Sequence, residues 1–158
     1  VLFRSTTWLM SRYLFDESLN GKRVLDMGCG TAVLAIIAAK KGAKTVMGID
    51  IDEWSIDNAI ENCKLNKESG ILIKKGDAGT LGNEKFEIIL ANINRNVLLR
   101  DISFYSKVLE EGGKLYLSGF FERDFERLGE EAKKAGLQQV SSAVRNEWGL
   151  LIFEKADK

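Results

Sequence analysis

The chain has 158 residues, 45% of them hydrophobic and 29% charged, which is enough to fold as one domain around a sizeable core. Its 23 basic and 23 acidic residues cancel, so the net charge supplies no basic field of the kind that non-specific nucleic-acid binding requires. The longest apolar run, near residues 32–39, is about half as long as a membrane span. We therefore expect no direct contact with nucleic acid or with a membrane. We also expect a monomer, although no residue pattern carries this expectation.

The chain contains two cysteines, Cys29 and Cys63, and no histidine. Two thiols without histidine do not make a typical zinc site, so we expect no metal. The sequence shows no secretion signal, which also argues against a disulfide. This pattern is typical of reduced thiols in a cytoplasmic protein.

The first five residues differ in character from the rest of the chain. They match the translated end of a common sequencing adapter, so we interpret residues 1–5 as a non-native scar. A genuine start without an initiator Met is the alternative. Residues 6–158 are then one domain, and we expect an upstream segment to be missing.

Helices and strands are predicted to alternate in the first half of the chain. In chain order the elements are a helix, a strand, a helix, a strand and a helix, at residues 6–19, 24–27, 32–39, 45–49 and 54–66. Gly21 and Gly42 are placed to close the first two helices, because glycine is favoured just after a helix end. Thr31 is placed to cap the start of the second helix.

The same alternation continues in the second half. The predicted elements are strands at 71–73 and 86–91, a helix at 95–109, a strand at 114–118, a helix from Phe121 to Gly136, and strands at 138–144 and 148–153. Gly112 and Gly113 turn the chain into the fifth strand, and a short polar turn joins the last two strands. The sequence predicts a doubly wound α/β fold: a mostly parallel seven-stranded sheet, helices on both faces, and a C-terminal antiparallel hairpin.

Ligands of such sheets bind beyond the carboxyl ends of the strands, so the turns after the strands are the candidate sites. Gly28 and Gly30 follow the first strand, where glycine permits a tight turn and close approach of a ligand. They also begin a dinucleotide fingerprint, Gly-x-Gly-x-x-Gly, but Val33 stands at the third glycine. This departure argues against an NAD-dependent oxidoreductase.

Acidic residues follow the second and third strands. Asp50 lies 22 residues beyond Gly28, where a carboxylate can accept ribose hydroxyls, and Ile51 could lie on an adenine face. Asp52 is better placed to cap the next helix. Asp77 could accept an adenine amino group. Each aspartate alone is as readily a loop or cap residue, but their succession at strand ends predicts a nucleoside site.

A group of amide side chains follows the fourth strand, at residues 91–96. A strand this apolar directs Asn92 toward the same site as the preceding turns. The alternative is that Asn92 only caps the next helix.

Two sets of motifs resemble known families. Residues 24–31 (Val-Leu-Asp-Met-Gly-Cys-Gly-Thr), 48–52 (Gly-Ile-Asp-Ile-Asp) and 76–78 (Gly-Asp-Ala) resemble the cofactor motifs of class I methyltransferases. Residues 89–93 (Ile-Leu-Ala-Asn-Ile), 117–120 (Leu-Ser-Gly-Phe) and 147–148 (Glu-Trp) resemble, more specifically, the bacterial ribosomal protein L11 methyltransferases. The resemblance covers essentially everything from Thr6 onward.

The resemblance implies a cofactor, S-adenosylmethionine, and an acceptor, the N-terminal amine and lysines of one ribosomal protein. The residues that it places at the cofactor are Asp26, Gly28 and Gly30 at the methionine end, Asp50 at the ribose, Asp77 and Ala78 at the adenine, and Asn92 beside the methyl group. Thr6 and Thr7 match the end of a family loop, Gly-Thr-Gly-x-His-x-Thr-Thr, which also contacts the cofactor. The glycines and histidine of that loop, and the family's N-terminal recognition domain, have no counterpart in this sequence.

Three other interpretations stay open. The same fold could methylate a small molecule, an RNA base or a glutamine amide, although Ile93 and Asn94 replace the two prolines of the Asn-Pro-Pro-Tyr motif typical of amide and base methylases. An oxidoreductase is disfavoured by Val33 and by the lack of a separate catalytic half. A non-catalytic cofactor-binding fragment is the third interpretation.

Overall fold

Five α-helices and seven strands alternate in the computed structural model, which describes residues 2–157 and the side chains of residues 4–157. The helices are α1 (Leu2–Asp16), α2 (Val33–Lys40), α3 (Glu53–Leu65), α4 (Arg95–Val108) and α5 (Phe125–Lys134). The strands are β1 (Arg23–Met27), β2 (Thr45–Asp50), β3 (Leu72–Lys75), β4 (Phe86–Asn92), β5 (Leu109–Phe121), β6 (Leu137–Arg145) and β7 (Trp148–Lys155). Two short 3-10 helices cover Ala78–Thr80 and Glu122–Asp124. Within the proposed five-residue scar, Val1 and the side chains of Leu2 and Phe3 lie outside the described residues.

The seven strands form one sheet in the order β3-β2-β1-β4-β5-β7-β6. The strands β1 to β5 run parallel, and β7 runs antiparallel to both β5 and β6. The predicted fold class, including the closing hairpin, is therefore confirmed. The chain builds outward from β1 to β3 and then crosses to β4 on the other side of β1. The junction of β1 and β4 is thus the point where strand order reverses and where ligands of such sheets bind.

Two apolar cores separate the sheet from its helices. The core on one face is made with α1, α2 and α3, and the core on the other face with α4 and α5. Neighbouring residues of β1 show the division, because the fully buried Val24 belongs to the first core and the fully buried Leu25 to the second. This alternation is what strand geometry requires of a sheet that is covered on both sides.

The first helix ends earlier than predicted. It stops at Asp16, so the predicted end at residue 19, closed by Gly21, is wrong. Gly21 has a φ of 74° and lies instead in the turn that leads to β1. The Lys41 ammonium donates to the carbonyls of Leu14 and Glu17, at 2.8 and 2.7 Å. This tertiary contact satisfies carbonyls at the helix end, which local sequence does not reveal.

The predicted cap of the second helix is also wrong. Ala32, with a φ of 66°, is the N-cap of α2, and its own side chain makes no cap hydrogen bond. The Thr31 carbonyl accepts a hydrogen bond from the Asn62 amide at 3.0 Å, so this residue joins α2 to α3. The side chain that reaches the first turn of α2 is that of Asp26 in β1, which accepts a hydrogen bond from the Ala35 backbone N–H.

The region after α4 differs from the predicted glycine turn. The strand β5 begins at Leu109, and the glycine pair lies inside it, where its register with β4 shifts between Phe86 and Ile88. A Cβ at Gly113 would stand 2.9 Å from the Glu87 carbonyl oxygen, so glycine allows the two strands to stay close. Likewise, the predicted helix from Phe121 begins as a 3-10 turn and becomes α-helical at Phe125.

Candidate functional site

Two cavities meet at the carboxyl edge of the sheet, beside the junction of β1 and β4. The larger cavity measures about 840 Å³ and the smaller about 510 Å³. Four residues line both of them: Gly28, Gly30, Ser55 and Asn92. A ligand with two chemically different ends could therefore occupy both cavities across this shared boundary.

The glycine turn forms the boundary between the cavities. Gly28 has a φ of 67°, and a Cβ there would stand 2.8 Å from Ile93 Cγ1, so both backbone and space require glycine. At Gly30, no heavy atom among the described residues, apart from its two chain neighbours, lies within 4 Å of where a Cβ would stand. A side chain at this position would project into space that is open to a ligand.

Asp26 is a buried carboxylate in the wall of the larger cavity. It lies one residue before the end of β1, its side chain is 2% exposed, and Oδ2 has no hydrogen-bond partner among the described residues. Burial raises the pKa of Asp26 to about 7, a hydrogen bond from the Ala35 backbone opposes the rise, and the nearby Asp50 charge adds to it. A buried carboxylate with an unused oxygen suits a cationic ligand group, because such a group would supply the missing partner.

Asp50 connects the turns after β1 and β2. Its Oδ2 accepts from the Gly30 backbone N–H at 2.9 Å, and its Oδ1 accepts from the Asp52 N–H at 3.0 Å. The carboxylate lines the smaller cavity, where its remaining lone pairs can accept from hydroxyl groups. Asp52 accepts from the Trp54 N–H and the Ser55 hydroxyl at the start of α3, which confirms that it is a helix cap.

The far wall of the smaller cavity follows β3. Asp77 caps the first 3-10 helix by accepting from the Gly79 N–H at 2.9 Å, and it also lines the cavity. Ala78 is buried beside it, and Ile51, across the cavity, is 71% exposed. Asp77 is therefore both a cap residue and a cavity residue, so the two interpretations of its sequence are compatible.

Asn92 ends β4 and lines both cavities. Its Nδ2 donates to the Thr7 hydroxyl at 3.4 Å, which leaves the carbonyl oxygen of the amide available. Asn94 is the N-cap of α4 and accepts from the Val97 N–H at 3.1 Å, so the alternative role of Asn92 as that cap is wrong. Thr7 lines the larger cavity, and the buried Thr6 lines the smaller one.

Several cavity residues were not found from the sequence. Trp8 and Arg145 line the larger cavity, and the Arg145 guanidinium lies 3.9 Å from the centroid of the Trp8 ring. Arg100, Asp101 and Tyr105 of α4 line the smaller one. The sequence signals were weak, because Arg145 stands at an ordinary hairpin end and Tyr105 falls in the apolar stripe of a helix.

Neither a metal centre nor a membrane span is found in the described part of the chain. Among residues 2–157, no cluster of three or more His, Cys, Asp or Glu side chains is arranged to hold a metal ion. No helix in the same range combines the length and apolar character needed to cross a membrane.

The strand order, the closing antiparallel strand and the position of the site define the class I methyltransferase fold. A solved methyltransferase structure from Pyrococcus furiosus has this fold, with a TM-score of 0.80 at 22% identity over 94% of this chain and 83% of that one. A TehB-like S-adenosylmethionine-dependent methyltransferase from Corynebacterium glutamicum has a TM-score of 0.74 at 19% identity, over 92% and 86%. These likenesses show the fold.

The family follows from more specific matches. The family model described as "Ribosomal protein L11 methyltransferase (PrmA)" matches residues 4–156, and the chain belongs to this family. A ribosomal protein L11 methyltransferase from Porphyromonas gingivalis is 50% identical over 149 residues, which are 94% of this chain and 51% of the relative. The ribosomal protein L11 methylase structure from Lactobacillus delbrueckii has a TM-score of 0.91 at 28% identity, over 96% and 79%. The chain spans about half the length of the curated relatives it matches.

Proposed function

We propose that this chain binds S-adenosylmethionine across the two cavities and transfers its methyl group to amino groups of ribosomal protein L11, the N-terminal amine and lysines. The observation that carries the proposal is the meeting of the two cavities at Gly28, Gly30 and Asn92. Since the relatives are about twice as long, the activity, substrate and partner of the whole protein are part of the proposal.

The smaller cavity suits the nucleoside. Asp50 would accept hydrogen bonds from the ribose hydroxyls, because its carboxylate lines this cavity and is held in place by two backbone N–H groups. Asp77 would accept from the adenine amino group. Ile51 and Ala78 would contact the faces of the base, and Thr6 would contact the cofactor from α1.

The boundary and the larger cavity suit the amino-acid end. The unpartnered Oδ2 of Asp26 would accept from the cofactor's ammonium group, and Gly28, Gly30 and Thr7 would surround it. When bound, S-adenosylmethionine supplies a methyl group on a positively charged sulfur, a good leaving group. The open space beyond Gly30 and the orphaned carboxylate both fit such a ligand.

Asn92 would position the acceptor amine. A free lysine has a pKa of about 10.4 and is mostly protonated at neutral pH, but only the neutral amine can accept a methyl group. Entry of the lysine side chain into the site removes water from the ammonium group, which lowers its pKa and favours the neutral amine. The chain has no histidine to act as a base near neutral pH. With Nδ2 directed to Thr7, the Asn92 carbonyl oxygen would accept from the amine N–H and orient its lone pair. Alignment of this kind is worth roughly 7–11 kcal/mol.

A protein acceptor agrees with the net charge of the molecule. The net charge is zero, so no general attraction to nucleic acid is expected. Action as a monomer is part of the same proposal.

The test combines binding with methyl transfer. We expect calorimetry to show S-adenosylhomocysteine binding, and labelled methyl transfer to purified L11 to place the label, by mass spectrometry, on the N-terminal amine and lysines. Asn92→Ala should lower transfer about 10²-fold, since displacement depends on alignment, and weaken binding much less. Asn83→Ala, at an exposed loop position, is the matched control. A wild-type chain that does not bind S-adenosylhomocysteine would refute the proposal, and label on other side chains would refute the acceptor class.

A further inference from the structure

The smaller cavity continues along α4, beyond the residues that the proposed function uses. Val97, Asp101 and Tyr105 line it at successive four-residue intervals, so they share one face of the helix. This stripe spans about 12 Å along the helix axis. Side chains lean toward the N-terminus of their helix, so the Tyr105 ring is directed back toward the carboxyl edge of the sheet, where the cavity lies.

The Tyr105 hydroxyl is a buried polar group that makes no hydrogen bond within the described residues. The side chain is 0% exposed, and the hydroxyl has no hydrogen-bond partner among the described residues. Its neighbour Asp101 accepts from Arg100 with both oxygens, at 2.7 and 2.9 Å. Burial raises the pKa of Tyr105, and the Asp101 charge raises it further, so the hydroxyl keeps its proton and stays a donor. An unsatisfied buried donor is costly and uncommon, which points to a ligand in the cavity.

We propose that the Tyr105 hydroxyl donates a hydrogen bond to a ring nitrogen of the adenine base, and is a specificity-determining residue for the cofactor. The inference rests on the proposed function, since it requires adenine in the smaller cavity. Adenine presents one amino donor and several ring-nitrogen acceptors. The Asp77 carboxylate can only accept and therefore suits the amino group, whereas the Tyr105 hydroxyl supplies the donor that a ring nitrogen needs.

The arrangement gives the cavity a preference for adenine. A base with a carbonyl oxygen in place of the amino group would direct that oxygen at the Asp77 carboxylate, which is repulsive. A base with a carbon in place of the contacted ring nitrogen would leave the Tyr105 hydroxyl buried and unpaired, as it is in the free protein. Sites built in this way discriminate through the polar groups that the wrong ligand leaves unpaired.

Tyr105→Phe tests the inference by calorimetry with S-adenosylhomocysteine and its 1-deaza, 3-deaza and 7-deaza analogues. We expect the variant to bind S-adenosylhomocysteine about 3- to 10-fold more weakly, the effect of one hydrogen bond. For one analogue, which lacks the contacted nitrogen, wild type and variant should bind equally. The melting temperature of the free variant should be unchanged or higher, because the substitution removes an unsatisfied hydroxyl.

Tyr116→Phe is the matched control. Its hydroxyl is also buried, but it donates to Glu17 at 2.6 Å and lines neither cavity. This variant should lose stability and keep its affinity for S-adenosylhomocysteine. Two outcomes would overturn the role of Tyr105 and leave the proposed function standing. One is equal affinity of Tyr105→Phe and wild type for S-adenosylhomocysteine, and the other is the same loss of affinity with all four ligands. A wild-type protein that binds none of them would overturn the proposed function and this inference together.

Discussion

Asp26 links the stability of the fold to pH at the scale of a single residue. Its folded-state pKa is raised from 3.8 to about 7, chiefly by burial, so between these values the folded protein carries a proton that the unfolded chain has released. By linkage, this group stabilises the fold less as pH rises from about 4 through 7. Above pH 7 the fold must hold a buried carboxylate that has one unpaired oxygen.

Asp26→Asn should therefore stabilise the free protein at about pH 8 by an amount on the order of 1–3 kcal/mol, and much less at about pH 5. Urea denaturation at both pH values measures the difference. The same variant should bind S-adenosylhomocysteine at least tenfold more weakly, because it cannot offer a charge to the ammonium group. Asp52→Asn keeps a good helix cap and should change neither quantity. An equal gain at both pH values would show that the carboxylate of Asp26 does not titrate as described.

Asp50 and Asp52 stand two positions apart but have different tasks. Asp50→Ala removes the proposed ribose acceptor and the anchor of the Gly30 N–H, so we expect about 10- to 100-fold weaker binding of S-adenosylhomocysteine. Asp52→Ala removes only a cap of α3 and should cost about 1 kcal/mol of stability with a small change in affinity. Calorimetry and thermal unfolding on both variants make the comparison. Equal losses of affinity would contradict the assignment of Asp50.

At the scale of elements, the β6–β7 hairpin is attached to α1 across the mouth of the larger cavity. The Arg145 guanidinium covers the Trp8 ring, and the Asn146 amide donates to the Ser5 hydroxyl at 3.3 Å. Arg145→Ala should lower the free energy of unfolding by about 0.5–1 kcal/mol and increase hydrogen exchange in the first turns of α1. Arg127→Ala, at an exposed position of α5, should have neither effect. Unchanged exchange in α1 would show that the hairpin does not hold this helix.

The order and type of the elements could be predicted because apolar periodicity reflects burial. Here the buried residues form two regular cores, one on each face of the sheet. The errors lie at element ends, where distant residues decide. The Lys41 ammonium contacts the end of α1, and Ala32 takes a left-handed conformation where Thr31 was the expected cap. A pattern that describes neighbours in sequence contains no information on such contacts.

The candidate site could be predicted where its residues come from the carboxyl ends of strands or from the turns that follow them. Asp26, Asp50, Asp77 and Asn92 line the cavities because parallel strands end at one edge. Tyr105 could not be found from the sequence, because a tyrosine in the apolar stripe of a helix looks like any other core residue. Only the structure shows that its hydroxyl has no partner among the described residues. Trp8 and Arg145, 137 positions apart, meet only through the fold.

At the scale of the whole molecule, the chain's length is the feature to test, because its curated relatives are about twice as long. We propose that residues upstream of Thr6 contribute to cofactor binding and to recognition of L11. Joining the upstream half of the Porphyromonas gingivalis relative to residues 6–158 should raise kcat/KM for L11 by at least 10²-fold, since a misplacement of about 1 Å can cost that much. The joined protein with Asn92→Ala should lose most of this gain. Equal rates with and without the upstream half would show that this domain suffices.

The hydrogen bond between the Asp50 carboxylate and the Gly30 N–H has a consequence for how the two ends of the ligand cooperate. In the proposed function, the Asp50 carboxylate would both bind the ribose and hold the turn that binds the amino acid. The turn would then already be ordered by ribose binding when the amino-acid end binds. Adenosine and methionine, offered as separate molecules, should each tighten the other's binding by the same factor, as thermodynamic reciprocity demands. Breaking that single bond would make the two halves of the site independent of each other.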